Sequence, residues 1–133
     1  MKIGFVSPYP DVQSFGLRTL SACLKKEGHD VTMVFLLSEF WDKYEDTALD
    51  ETVELLKDCD LIGLSVMSNF WDNSVQITER LKKSIDAPII WGGTHPTIRP
   101  EECIERGGAD IVCIGEGEDT IVELAKRMQN GDD

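Results

Sequence analysis

Basic charge is scarce in this chain: 13 lysines and arginines stand against 25 aspartates and glutamates, for a formal net charge of −12. Such a surface repels phosphates instead of neutralising them, which argues against nucleic acid as a partner. The acidic balance otherwise implies only a solvated cytoplasmic surface. No apolar run approaches the roughly 20 residues that span a bilayer, and there is no basic-then-apolar secretory start. A cytoplasmic domain without membrane contact is therefore expected. Cysteine pairing is absent too. Cys23, Cys59, Cys103 and Cys113 are widely spaced with no C-x-x-C pair, so zinc and iron–sulfur sites are not expected. With Cys113 inside an apolar strand and Cys23 on an apolar helix face, buried free thiols are the favoured reading.

What is present is a regular alternation of apolar strands and amphipathic helices. Strands are predicted over Lys2 to Ser7, Val31 to Leu37, Leu61 to Met67, Pro88 to Trp91 and Ala109 to Ile114. Helices are predicted over Leu17 to Glu27, closed by Gly28, and over Asp50 to Asp58, with Val53, Leu56 and Leu55 inward. Further helices are predicted over Asn73 to Ile85, Glu101 to Arg106 (opened by Pro100) and Thr120 to Gln129. The near-continuous apolar strands suit a parallel sheet covered on both faces. The expected fold is α/β: a flavodoxin-like, Rossmann-like, doubly wound sheet of five mostly parallel strands in the order 2-1-3-4-5. Residues 1–130 would form one domain and 131–133 a polar tail.

The usual phosphate-binding devices of such a sheet are missing. The turn after the first strand reads Ser7-Pro8-Tyr9-Pro10-Asp11 and reaches no glycine until Gly16, so there is no G-x-G-x-x-G fingerprint and no Walker loop. A phosphoacceptor receiver would end its third strand in aspartate, where this chain has Ser65-Val66-Met67-Ser68. A flavodoxin would carry a hydroxyl- and glycine-rich loop after strand one, for which Ser7 and Ser14 are poor substitutes.

The informative positive feature is a pair of strands that run into glycine. Ile89-Ile90-Trp91-Gly92-Gly93-Thr94-His95-Pro96-Thr97 is followed by Ile111-Val112-Cys113-Ile114-Gly115-Glu116-Gly117-Glu118. Without a Cβ at these ends, a ligand can lie directly on the backbone. Two neighbouring ends of this kind predict a slot for something long and flat, at the carboxyl edge where open α/β sheets bind ligands.

Three further segments sharpen this. Asp11-Val12-Gln13-Ser14-Phe15-Gly16 follows the first strand, Ile62-Gly63-Leu64-Ser65-Val66-Met67-Ser68 ends the third, and Gly92-Gly93 ends the fourth. In this order the chain resembles the cobalamin (vitamin B12)-binding domains. With the two glycine ends it is similar to the N-terminal module of cobalamin-dependent radical SAM enzymes. The resemblance implies cobalamin as cofactor, contacted by Asp11, Gln13, Ser14, Gly16, Ser65, Met67, Ser68, Gly92, Gly93, Thr94, Gly115 and Gly117. It also implies that the D-x-H-x-x-G histidine, the lower ligand of cobalt, is replaced here by Gln13. An amide is a poor cobalt ligand beside imidazole. Cobalamin is thus expected base-off and His-off, with no protein metal ligand and Gln13 the nearest candidate. S-adenosylmethionine and an iron–sulfur cluster would belong to a separate or missing domain, because no C-x-x-x-C-x-x-C motif is present. No catalytic residue is expected in this chain alone; a radical SAM catalytic domain or partner protein would be its associate.

Single residues carry competing readings. His95 is expected in a polar wall of the tail pocket, and His29 in an exposed turn. Ser65 and Ser68 offer hydroxyls to the nucleotide tail or make ordinary turn contacts. Glu116 and Glu118 accept hydrogen bonds from ribose hydroxyls or corrin amides, or, in the case of Glu118, favour a helix start. Trp71 is a candidate for the rim of the corrin, and Phe40, Trp41 and Tyr44 for a docking surface. The alternative is a flavodoxin-like sensor or protein-interaction domain that binds no corrinoid; a hydrolase built on Glu116 or Glu118 would lack a nucleophile.

Overall fold

The computed structural model describes residues 1–9, 12–37 and 43–132. Asp11, Phe40 and Trp41 lie outside the described residues. Five parallel strands, β1 (Lys2–Ser7), β2 (Asp30–Phe35), β3 (Leu61–Ser65), β4 (Ile89–Gly92) and β5 (Ile111–Val112), form one sheet in the order β2-β1-β3-β4-β5. This is the flavodoxin-like order expected from the sequence. Ile3 faces Val31 on one side and Leu61 on the other, and Leu64 faces Trp91. The chain reverses its direction of winding between β1 and β3, so the loops after these strands diverge and leave a crevice at their carboxyl ends.

Helices cover both faces. On one, α1 (Phe15–Lys26) and α6 (Glu118–Asn130) press Leu17, Leu24, Ile121 and Ala125 onto Ile3 and Phe5. On the other, α2 (Asp46–Leu56) and α3 (Trp71–Lys82) bring Leu49, Leu56, Ile77 and Leu81 against Val6, Ile62 and Leu64. Each fully buried Leu or Ile contributes about 1.5–3 kcal/mol by leaving water, so the two faces share the work of holding the sheet. Among the described residues no helix is long and apolar enough to cross a membrane.

Several expectations are corrected. The second helix begins at Asp46 instead of Asp50, because Leu49, Thr52 and Leu56 form the buried stripe at helical spacing. That phase turns Leu55 outward, where it is 59% exposed. The segment after Gly93 forms a short helix absent from the predicted set, α4 (Thr94–Ile98). It is followed by α5 (Pro100–Glu102), whose turn widens to π geometry over Cys103–Gly107. All four cysteines are free; Cys103 and Cys113 are buried, while Cys23 and Cys59 are only half-buried.

His29 is buried rather than exposed. After α1 the amides of Gly28 and His29 return to the carbonyls of Lys25 and Leu24, at 3.0 and 3.1 Å, closing the helix in a Schellman turn. That turn folds His29 under the amino terminus, with Nδ1 3.3 Å from the Met1 amine. Burial, then the neighbouring amine, lowers its pKa.

Trp91 is fully buried behind β4 and meets Trp71 edge-on, ring centroids 5.5 Å apart. Its indole Nε1 donates to Thr78 Oγ1 of α3 at 3.0 Å. Thr78→Val keeps the shape and leaves the indole N–H unpaired in a dry core. This should cost about 1–3 kcal/mol, read as a lower urea midpoint at unchanged slope. An unchanged midpoint would show that this hydrogen bond does not hold β4 to α3.

Candidate functional site

A cavity of about 470 Å³ opens at the carboxyl ends of the strands, on the face covered by α1 and α6. Strand alternation explains its floor. Ile90 and Gly92 project to this face of β4, and Trp91 to the other. Phe5 of β1 lies across Gly63 of β3, where a Cβ would come within 2.7 Å of its ring. Leu17 and Leu20 of α1 and Ile121 of α6 add apolar walls from the helix side. Cys113, just past β5, completes the floor. Burial raises its thiol pKa; a hydrogen bond with Thr120 offsets part of that rise, and the Glu118 carboxylate adds a smaller one. The thiol is therefore neutral, an apolar surface and not a thiolate nucleophile.

The mouth is made of the two glycine ends. Gly93 adopts φ 106°, ψ −163°, a region open essentially to glycine alone. A Cβ there would also meet Val66 N and O at 3.0 Å and Ser65 Oγ at 3.3 Å. The close approach lets the loops after β3 and β4 be stitched by main-chain bonds: Val66 N–H donates to Gly92 O at 2.8 Å, and His95 N–H to Val66 O at 3.1 Å. Thr97 then ties the second lip to the first. Its hydroxyl donates to Gly93 O at 2.8 Å and accepts from Gly115 N–H at 3.1 Å.

The sequence-predicted residues divide into groups. Gly16, Ser65, Gly92, Gly93, Thr94, Gly115, Glu116, Gly117 and Glu118 all line the cavity. Ser68, Trp71 and His95 lie together outside its lining, behind the β4 lip. There His95 Nδ1 meets Ser68 Oγ at 2.8 Å, Nε2 meets Glu102 Oε2 at 3.2 Å, and the ring packs on Trp71 at 4.8 Å. Met67 is exposed at the end of β3. Gln13 and Ser14 lead into α1; Ser14 is left-handed at φ 33°, and Arg18 Nε donates to Gln13 O at 2.8 Å.

Sequence reasoning missed Tyr9, whose Oη is 3.0 Å from Ser65 Oγ. It also missed Thr97, Ile98 and the apolar floor. Phe5 had a signal, its alternation within β1. Tyr9 had none, being 56 positions from its partner. The Ser7 hydroxyl, buried at the end of β1, has no hydrogen-bond partner among the described residues. No cluster of three or more His, Cys, Asp or Glu that could hold a metal occurs among them either. The cavity suits a flat, largely apolar group entering from the sheet edge, with hydroxyl and carboxylate groups at its mouth. Its volume falls within the roughly 300–1,000 Å³ of small-molecule sites.

Comparison with known proteins supplies a family and a fold. The family model for the B12 binding domain matches residues 1–125. An uncharacterized protein of Methanocaldococcus jannaschii is 30% identical over 123 residues, spanning 92% of this chain but 22% of that protein. The radical S-adenosylmethionine methyltransferase TsrM from Kitasatospora setae, solved with cobalamin and a 4Fe–4S cluster bound, superposes with a TM-score of 0.85 at 24% identity. The match covers 99% of this chain and 25% of that one. A two-component response regulator from Clostridium difficile matches with a TM-score of 0.58 at 14% identity, over 96% of this chain and 93% of its own. Both structural likenesses are of fold, and this chain spans about a quarter or less of the Methanocaldococcus jannaschii protein and of TsrM.

The geometry of the mouth predicts that Gly93→Ala is destabilising. Both the positive φ and the contact with Val66 oppose the new methyl, at a cost of about 1–3 kcal/mol. Thermal denaturation checks this. A melting temperature equal to that of the parent would mean that the β3–β4 joint relaxes freely.

Proposed function

The chain belongs to the B12 binding domain family, and from that premise we propose that it holds cobalamin by the nucleotide tail, base-off, with no histidine of this chain on the cobalt. The observation that carries the reading is the glycine-mouthed, apolar-floored cavity between α1 and α6. A benzimidazole withdrawn from cobalt is flat and largely apolar, and Phe5, Leu17, Leu20, Ile90 and Ile121 offer it a matching bed. Ser65 supplies a hydroxyl at the cavity wall. Glu116 and Glu118 at the mouth accept hydrogen bonds from ribose hydroxyls or corrin amides. The corrin itself would cover the exposed apolar side chains of the strand-end loops: Val12, Phe15, Met67, Ile98 and Ile114.

Two observations favour the His-off part. Gln13 stands where the family pattern has its cobalt-binding histidine. Both histidines of the chain are engaged elsewhere: His29 at the opposite end of the sheet beside Met1, and His95 between Ser68 and Glu102. Bound cobalamin supplies a cobalt centre that is readily reduced to nucleophilic Co(I) when its lower ligand is weak. This chain's own residues bind and orient; Cys113 is a neutral thiol, and the carboxylates at the mouth have no nucleophile beside them. We therefore assign substrate chemistry to a radical SAM catalytic domain or partner protein, which would carry the S-adenosylmethionine and iron–sulfur sites. The likeness to TsrM and the small share of the relatives' length that this chain spans favour that arrangement.

Purified protein mixed with hydroxocobalamin and desalted should retain corrin colour with a base-off spectrum. Reduced to Co(II), it should show no nitrogen superhyperfine splitting from an axial ligand; such splitting would sink the His-off assignment. Gly92→Leu should weaken retention at least about tenfold, equivalent to about 1.4 kcal/mol, because its side chain enters the cavity beside Ile90. Circular dichroism should be unchanged. A colourless parent protein after desalting would overturn cobalamin binding itself.

A further inference from the structure

Resting on the reading that the cavity takes a cobamide tail, we propose that Tyr9 fixes Ser65 as a hydrogen-bond donor into the cavity. This pair makes the site select corrinoids whose lower base presents one unshared ring nitrogen on an otherwise apolar ring. Tyr9 lies in the loop after β1, on the far side of Ser65 from Gly93. Its Oη is 3.0 Å from Ser65 Oγ, and its ring packs on Phe70 with centroids 5.2 Å apart. Phe70 is buried, so the phenol is anchored by packing as well as by its hydrogen bond.

The direction of that hydrogen bond follows from acidity. A phenol is a stronger acid than an aliphatic alcohol and is the better donor of the two. Burial raises the Tyr9 pKa, only partly offset by the hydrogen bond with Ser65, so the phenol keeps its proton at neutral pH. With Tyr9 donating, one lone pair of Ser65 Oγ is occupied and its own proton is free to point elsewhere. A hydroxyl that already accepts is also a better donor, because the two bonds polarise each other.

The rest of the cavity makes this proton selective. The floor and walls beside Ser65 are the apolar side chains of Phe5, Leu17, Leu20, Ile90 and Ile121. Thr97 is not available, since its hydroxyl donates to Gly93 O and accepts from Gly115 N–H. Glu116 and Glu118 are acceptors and stand at the mouth. A benzimidazole released from cobalt brings one in-plane nitrogen lone pair, which one donor satisfies. A phenolic lower base brings no such acceptor and leaves the Ser65 proton unpaired on an apolar bed. An adenine base satisfies it but brings further ring nitrogens and an amino group that the apolar floor leaves without partners, at a desolvation cost.

The test compares three cobamides that differ only in the lower base (dimethylbenzimidazolyl, p-cresolyl and adeninyl), each titrated into the full chain and followed by visible absorbance. The parent protein should bind the benzimidazolyl form about three- to tenfold more tightly than either of the others, the range of one hydrogen bond. Tyr9→Phe and Ser65→Ala should each bring benzimidazolyl affinity to the p-cresolyl level while leaving the p-cresolyl affinity unchanged. The double variant should be no weaker than either single one, as for two residues acting as a unit. Equal binding of the three forms by the parent protein overturns the inference without need of any variant, so a variant that fails to fold does not rescue it. Equal weakening of all forms by Tyr9→Phe also overturns it, reducing Tyr9 to a packing residue. Binding without selection leaves the proposed function standing; binding of no cobamide removes both.

Discussion

The main-chain joint between the ends of β3 and β4 is the constraint on which the site depends. Val66 and Gly92 share one hydrogen bond, and Val66 and His95 a second. Both require the two backbones to approach more closely than a side chain on Gly93 would permit. Once the joint is made, Ser65 is held against Gly93, the chain turns directly into α4, and Thr97 arrives where it can grip Gly115. The cavity's roof is thus assembled from backbone, with few rotamers to order. A site built this way is rigid before any ligand arrives and loses little conformational freedom on binding.

Behind that joint, outside the cavity lining, sits a polar cluster. His95 bridges Ser68 and Glu102 and packs at a tilt on Trp71, which itself meets Trp91 edge-on. Ser68 precedes α3 and Glu102 closes α5, so one imidazole ties together three segments that leave the carboxyl edge of the sheet. Its polar atoms are partnered and its ring is covered, as a buried polar group requires. The order Gly-Gly-Thr-His-Pro-Thr therefore divides its labour: the glycines and the second threonine shape the mouth, and the histidine braces it from behind.

The sheet order and the five strands were legible because apolar runs and helical spacing are local properties. Helix starts were less so. Asp46 opens α2 because Leu49 is needed in the buried stripe, and no local cap announced it. The glycine ends were legible as a slot for a general reason, since a strand that finishes in Gly-Gly has few structural excuses. Nine of the residues picked from the sequence do line one cavity, although they come from α1, three strand ends and α6. What could not be read were contacts between distant segments. Tyr9 finds Ser65, and His29 finds the amino terminus, through folding of the whole sheet. Nothing in a turn of composition Glu-Gly-His-Asp distinguishes a covered histidine from an open one.

The likeness to a response regulator shows why the sheet alone says little about chemistry. The two structures share strand order and nearly their whole length, yet a phosphoacceptor site needs carboxylates converging at the carboxyl ends of β1 and β3. Here β1 ends in Ser7 and β3 in Ser65, hydroxyls that neither carry a phosphoryl group on a carboxylate nor hold a divalent cation well. The acidic groups of the cavity are instead Glu116 and Glu118, at the lip beyond β5. The carboxylates thus stand at the mouth, above a floor of Phe5, Ile90 and Ile121. With no carboxylate at the ends of β1 and β3, the crevice offers an apolar bed where a phosphoacceptor site would need charged groups. Ser65, at the end of β3, is then a neutral hydroxyl set among apolar walls.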